Sequence, residues 1–471
     1  MTDSSPAGAA LSRQSLLALS VLLGAAVLKA TVSFDPFPGW GGDPTSVAAP
    51  ILGLTPILSI ALDAVTFIAA AAALLAPHNR TPPAWMILCF AVGSAAAIAH
   101  ARFIDGGSLD NLVLSSSWIS ALAAGLAVST TCREATARRM TVAAVLGLIV
   151  ALSAKGAAQV LIEHPRTVQW FMDNREQILT SQGWSLDSTM ARNYERRLLQ
   201  SEASGWFGLS NVYATFAAGC SVALIGLTAV ASRRRDYPHR RFVIAALAAG
   251  ALCALTALTL AGSKGGFAAG TLGLALLALT WLLTKPRLRR LGPRFATLLG
   301  PTVVAAALLA VVARGLIGER IGELSILFRW FYMQGAARIF ANNWMLGVGP
   351  AAFKDAYMLA KPAISPEDVS SPHSIFLDWA ATLGVGGLAW GMLLLTLVWA
   401  AGRNLAPSAP TTQPEQPSVP DLRTELRTIT LTLVIPMLFA AWLERPAATL
   451  DSTLVRLFGI CLLYTSPSPR D

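Results

Sequence analysis

The sequence predicts an all-α, polytopic transmembrane helix bundle of about 12 spans with two long extracytoplasmic loops. Three observations predict it. Only 13% of the 471 residues are charged and 54% are hydrophobic, where a soluble domain carries about 25% charged residues. The mean hydropathy is +0.56. Apolar runs recur that reach the ~20 residues needed to cross ~30 Å of hydrocarbon. Runs of that length do not read as the alternating ~10-residue strands of a membrane β-barrel.

Taken in order, residues 1–162 read as a five-span region, with spans at about 15–33, 51–76, 84–101, 112–130 and 140–162. The opening MTDSSPAGAALSRQ has one arginine ahead of the first apolar run and no clear small-residue cleavage site after it. That run therefore reads as a span and not as a removed signal peptide. Residues 163–205 form a first long loop, and residues 206–317 hold four spans at about 206–231, 242–262, 266–284 and 295–317. Residues 318–374 form a second long loop containing Trp330, Phe331, Phe340 and Trp344. It is too aromatic for disorder and reads as an amphipathic helix near the headgroups. Residues 375–461 carry spans at about 375–401 and 428–443, and a last one beginning near 453. The Pro-rich stretch 406–420 reads as a flexible polar linker. The tail 462–471, LLYTSPSPRD, resembles translated adaptor or vector sequence. It is set aside as non-native, with the native C-terminus expected to be missing.

Orientation follows from the short loops. With the N-terminus inside, the inner loops carry Arg80; Arg133, Arg138 and Arg139; Arg233, Arg234, Arg235, Arg240 and Arg241; and Lys285, Arg287, Arg289, Arg290 and Arg294. The short outer loops carry Asp35 and Asp43, or Arg102 with Asp105 and Asp110. This positive-inside bias accounts for the net charge of +10 without nucleic acid as a partner. The five cysteines show no zinc spacing, and three lie inside apolar runs, so neither a disulfide framework nor a metal knot is indicated. Three features fall on the outer side: the loop 163–205, the tight turn Gly262–Gly266, and the loop 318–374.

The last of these holds the stretch around which the chain is organised. It runs RWFYMQGAARIFANNWMLGVGPAAFKDAYM from Arg329, continues through a polar run, and ends SPHSIF around His373. His373 joins the aromatic loop to the next span, and a histidine is the usual general base for a hydroxyl; the plainer alternative is an interfacial histidine. Arg329 and Arg338 suit a diphosphate, because a guanidinium fork bonds two oxygens. Nine residues apart, they face opposite sides of one helix at ~100° per residue, unless it breaks at Gly335. The alternative is ordinary snorkelling. Lys264, flanked by glycines, allows a phosphate to approach backbone N–H groups, or is simply a charged turn. Arg192, Arg196 and Arg197 end the first long loop. Arg192 and Arg196 share a helix face and repel unless Glu195 or an anion offsets them; a solvated face is the alternative. Asn211 caps a helix or contacts a ligand. No DxD pair, HExxH or Walker loop occurs, so nothing asks for a metal or other cofactor.

Together these pieces resemble the O-antigen ligase and polymerase family of polytopic bacterial glycosyltransferases, over about residues 195–400. The resemblance rests on Arg329 with Trp330, on Gly347-Val348-Gly349-Pro350 followed by Phe353, and on His373 opening the next span. Ser263-Lys264-Gly265 stands where members often have Ser-Arg-Gly. Gly205-Trp206-Phe207-Gly208-Leu209-Ser210-Asn211 matches an upstream Gly-x-Phe-Gly-x-x-Asn. Arg197 to Gly208 and Arg338 to Gly349 each enclose ten residues, a spacing also reported for O-antigen polymerases. The lysine at the Ser-Arg-Gly position keeps the charge and loses the fork.

The resemblance implies a metal-independent, inverting transfer of a glycan from a polyprenyl diphosphate donor to a glycolipid acceptor, at the periplasmic face of the bacterial inner membrane. His373 and Arg329 would be catalytic. Lys264, Arg197, Arg196, Arg338, Asn211 and Ser263 would bind the diphosphate or substrate. O-antigen polymerase and protein O-oligosaccharyltransferase activities share that donor and differ in acceptor; ligation is the favoured reading. From another class, a transporter of an anion or lipid-linked sugar would place ionisable groups near the bilayer midplane. The mid-span positions read as nearly free of charge, which favours surface chemistry.

Overall fold

Every regular element among the described residues is a helix. The computed structural model describes residues 12–33, 53–76, 81–233, 239–283, 292–318, 324–404 and 430–443. Eight of its helical segments are long and apolar enough to cross a membrane. They are α1 (Arg13–Ala30), α2 (Pro56–Leu75), α3 (Ala84–Ala99, extended to Ile104 by a π-helical turn), α4 (Leu109–Thr131), and α5 (Ala135–Ala158, which continues through a π-helical turn and α6, His164–Asp173). Then come α9 (Ser210–Arg233), α10 (Arg240–Leu260) and α11 (Lys264–Leu283). These coincide with the first eight predicted spans. The ninth run is helical as α12 (Gly292–Ile317). The eleventh is described from residue 430, as a π-helical turn and α17 (Ile435–Leu443). The run near 453, the linker 406–420, the tail 462–471 and His78 lie outside the described residues.

Helix starts follow local chemistry. Ser12 accepts from the Ser15 amide at 3.1 Å. Thr55 caps α2, with Pro56 in its first turn, where a missing N–H costs nothing. The predicted loop 163–205 is itself helical. Beyond α6 it contains α7 (Arg175–Ser181) and α8 (Thr189–Leu198), closed over a small core of Phe171, Leu179 and Ala191.

Two expectations need correction. The predicted span 375–401 is broken: α15 (Ile375–Leu383) ends at Gly384, whose φ is +58°, and α16 (Val385–Asn404) restarts beyond it. The carbonyls of Ala381 and Thr382 turn outward to accept the amides of Val348 and Gly349, at 3.1 and 2.9 Å. The helix cannot continue because part of its bonding capacity is used elsewhere. Hydropathy runs straight through this point and gives no sign of it.

The mid-span positions are also less neutral than expected. Asp63 in α2 is 2% exposed, and Lys29 of α1 bonds it at 2.6 Å. Ser116, Ser117 and Ser120 of α4 donate to the same carboxylate at 3.0, 2.9 and 2.8 Å. A buried carboxylate is tolerated when its lone pairs are filled in this way, and here it ties three helices together.

Small residues set the closest approaches. A Cβ on Gly266 would lie 2.4 Å from Ala214 Cβ, and one on Gly273 would lie 2.7 Å from Val222. Between them Gly270 would touch Leu258 and Ala218. This glycine stripe draws α11 onto α9, as small-xxx-small faces do in membrane bundles. Gly266→Ala should therefore destabilise the protein by about 1–3 kcal/mol. Gly219→Ala, where a Cβ meets open space, should gain ~0.5–1 kcal/mol in helix propensity. Thermal unfolding in detergent reads both; equal midpoints for the two variants would remove the stripe from the account.

Candidate active site

The glycine stripe brings the start of α11 against the start of α9. Ser263 is the residue that exploits this contact. Its hydroxyl accepts from the Gly266 amide at 3.1 Å, capping α11, and bonds Asn211 Oδ1 at 2.7 Å. Because the amide only donates and the Asn211 carbonyl oxygen only accepts, the Ser263 proton goes to Asn211. Lys264 opens α11 with its side chain exposed. A Cβ placed on Gly265 would lie 3.9 Å from Ser263 Oγ and 4.0 Å from Arg329 Nη2. The Arg329 guanidinium thus reaches the turn from a distant part of the chain. Helix-start amides and two cations converge there, the arrangement that suits an anion.

Arg329 projects from α13 (Leu324–Asn342), which is one unbroken helix through Gly335. Three residues on, hence on the same side, stands Tyr332, whose ring centroid lies 5.5 Å from that of His373. The Tyr332 hydroxyl donates to Glu367. Tyr332 is held above the usual tyrosine range, first by burial and then by that hydrogen bond and the Glu367 charge. His373 is lowered from its ordinary 6.5, first by desolvation of the ring, then by Arg329, with Glu367 opposing. One part of the His373 side chain stays open to solvent, so the direction is what carries meaning here. Its backbone φ is +54°, left-handed and uncommon for a residue with a side chain. The Ser371 hydroxyl, which itself donates to Asp378 at 3.1 Å, accepts the His373 amide at 3.3 Å and supports that turn.

Arg338 goes elsewhere. It is exposed and donates to the Ala360 carbonyl at 3.0 Å, at the end of α14 (Phe353–Ala360). The nine-residue offset sends the two arginines to opposite sides, as the spacing requires. Gly335 serves packing and does not break the helix: a Cβ there would lie 2.4 Å from the Tyr357 ring.

The Gly205–Asn211 segment leads into α9 and is pinned from α5. The Gln159 side chain, on the π-helical turn after α5, accepts from the Ser204 and Gly205 amides at 3.0 and 2.8 Å and donates to the Gly205 carbonyl at 2.9 Å. Ala203 bonds the Leu260 carbonyl at 2.9 Å, which sets this segment beside the Ser263 turn. Arg196 and Arg197 lie exposed on α8, upstream of that segment. Glu195, a candidate to offset them, is committed to Arg175 at 2.5 Å.

The structure therefore gathers Asn211, Ser263, Lys264, Arg329 and His373 around one end of α9, α11 and α13. It places Arg338 at α14 and leaves Arg196 and Arg197 on α8. Sequence reasoning missed Tyr332 and Glu367. Tyr332 was findable, three residues from Arg329 on one helix face. Glu367 lies in an aperiodic loop that carried no signal. Among the described residues no three His, Cys, Asp or Glu side chains gather in a metal-binding group.

Helices able to cross a membrane, with cations, a tyrosine and a histidine collected at one end, define a polytopic membrane protein with a polar site at the end of its bundle. Residues 249–390 match the family model described as O-Antigen ligase, and over that region the chain is a domain of the O-antigen ligase and polymerase family. The match takes in the Ser263–Gly265 turn, Arg329, the Gly347–Pro350 turn and His373. Asn211, Arg196 and Arg197 precede it. Comparison with curated proteins and with solved structures gave no match.

Ser263→Ala removes one cap and the bond to Asn211, and should lower stability by roughly 1 kcal/mol. An unchanged unfolding midpoint in detergent would show that Ser263 does not hold α11 to α9.

Proposed function

We propose that the protein is a membrane glycosyltransferase of the O-antigen ligase type. It moves a glycan from a polyprenyl diphosphate to a hydroxyl of a glycolipid acceptor at the periplasmic face of the bacterial inner membrane. The observation that carries the reading is the convergence of Arg329 on the Ser263–Gly265 turn, with His373 beside the same face of α13. The positive-inside charge bias supports the periplasmic orientation.

The chemistry is one displacement. The acceptor hydroxyl oxygen forms a bond to the anomeric carbon while the bond from that carbon to the diphosphate oxygen breaks. The electron pair leaves with the diphosphate, so the anomeric configuration inverts. His373, lowered from its ordinary 6.5, is neutral at pH 7 and takes the hydroxyl proton. Arg329, Lys264 and the start of α11 hold the charge that grows on the diphosphate. Ser263 and Asn211 set the turn, and Arg196 and Arg197 extend the positive field on the approach from α8. Arg338 is assigned to α14 and not to substrate.

In liposomes carrying a polyprenyl-diphosphate glycan and acceptor glycolipid, His373→Ala should cut transfer by about 10²–10⁴-fold, the usual contribution of a general base. Arg338→Ala should leave most of it. Near-normal turnover by a well-folded His373→Ala would remove the histidine from the mechanism.

The acid limb of the rate profile should fall below pH 6.5, following His373. Arg329→Gln removes a positive charge that disfavours imidazolium and should move the residual limb up. Glu367→Gln removes a negative charge that favours it and should move the limb down. A limb indifferent to both variants would mean that another group titrates.

Within the family, the glycolipids of a deletion strain separate the branches. Polymer left on the polyprenyl carrier with bare lipid core indicates ligation, and core bearing a single repeat unit indicates polymerisation. Flux of the donor across sealed liposomes without bond formation would instead favour the transporter reading.

A further inference from the structure

The Gly347–Pro350 turn is gripped from two sides, and one of those sides lies outside the matched region. On the first side Val348 and Gly349 cap α15. On the second stand three residues of the N-terminal spans. His100, in the π-helical turn that ends α3, is 2% exposed. Its Nε2 lies 2.9 Å from the Leu346 carbonyl and its Nδ1 lies 3.0 Å from Asp105 Oδ2. A carbonyl only accepts, so Nε2 carries a proton and donates. Asn111 of α4, also buried, donates from Nδ2 to the same Asp105 oxygen at 2.8 Å. Its Oδ1 accepts the Ala351 amide at 2.7 Å.

This grip accounts for the second motif glycine. Gly349 has φ +101°, and a Cβ there would lie 2.7 Å from Asp105 Oδ2 and 3.1 Å from His100 Nδ1. Gly347 is required on the other side, where a Cβ would meet the Thr382 backbone at 2.2 Å. Each glycine therefore admits one jaw of the same clamp.

We propose that His100, Asp105 and Asn111 are positioning residues for the transfer site, fixing the turn from which both α14 and α15 are set. This rests on the functional reading above. One route runs from Asn111 through Ala351 to the start of α14. There Tyr357 fills the gap at Gly335 and meets Tyr332 at 6.0 Å between ring centroids, and Tyr332 in turn meets His373. The other runs from His100 through Leu346 to the amides that bond the last carbonyls of α15, the helix that His373 precedes. None of the three residues needs to touch substrate. Loosening them displaces His373 relative to Arg329, and misplacements of ~1 Å cost up to about 10²-fold in rate.

The test uses the full chain in the same liposomes. Asn111→Ala and His100→Ala should lower kcat by roughly ten- to hundredfold while the KM for donor stays within about twofold, the split expected of misplacement. His100→Gln keeps an N–H toward Leu346 and should recover most of the rate. A well-folded Asn111→Ala with normal kcat overturns the proposal, as does a loss that appears only in KM. A second readout needs no activity. Val348→Cys places a thiol where the turn packs against the core around Tyr332 and Tyr357. A membrane-impermeant maleimide should label it slowly, and several-fold faster when Asn111→Ala is added. Equal labelling overturns the clamp. If the parent chain transfers no glycan while labelling still accelerates, the transferase reading fails and the clamp stands.

Discussion

A helix that stops inside a bundle must find partners for its last carbonyls, because neither lipid nor packed protein will solvate them. The end of α15 is where this constraint shapes the protein. Ala381 and Thr382 find their donors in Val348 and Gly349, so a turn from one segment becomes the terminus of another. That exchange breaks the hydrophobic run at Gly384. It forces glycine at 347, and it holds the chain on either side of residues 361–374 in a fixed relation. His373 inherits its position from an unmet bonding requirement nearly three helical turns away along α15.

The rest of the bundle achieves its approaches with small residues and filled polar sites. The Gly266–Gly273 stripe brings α11 onto α9. Gly93 lies against the Trp390 ring, where a Cβ would come within 2.3 Å, and this seats α16 on α3. The Trp390 indole donates to the Phe90 carbonyl at 3.2 Å. Trp118, Trp379 and Trp390 meet edge-to-face, joining α4 to the α15–α16 corner. The N-terminal spans are thus locked to the region that matches the family, although they share no motif with it. The Lys29–Asp63 pair, ringed by serines, does the same for α1, α2 and α4 by electrostatic means.

Hydropathy was enough to read eight spans, because a long apolar run has few other outcomes in a membrane protein. Orientation was legible in arginine placement for the same reason. Arg329 and Arg338 were separable by counting nine residues, and the helix keeps them apart as counted. What stayed illegible depends on backbone bonding between distant segments. The interruption at Gly384, the carboxylate in α2 and the role of Glu367 each turn on a partner tens or hundreds of residues away. Glycine spacing marked the Gly347–Pro350 turn as special, but the reason for each glycine appears only when its opposing atoms are in view.

The two π-helical turns, His100–Ile104 and Gln159–Glu163, each wind one residue more than α geometry would use over the same rise. Everything after such a turn is rotated by about 100° relative to an uninterrupted helix. The first carries the ring that meets Leu346, and the second precedes the segment that leads into α6. Both amount to phase insertions. A lineage that gained or lost one codon at either place would keep its hydropathy profile and its span count. It would nonetheless swing a different side chain toward the catalytic end, so such a single-residue length change is a more telling marker of divergence than many substitutions within the spans.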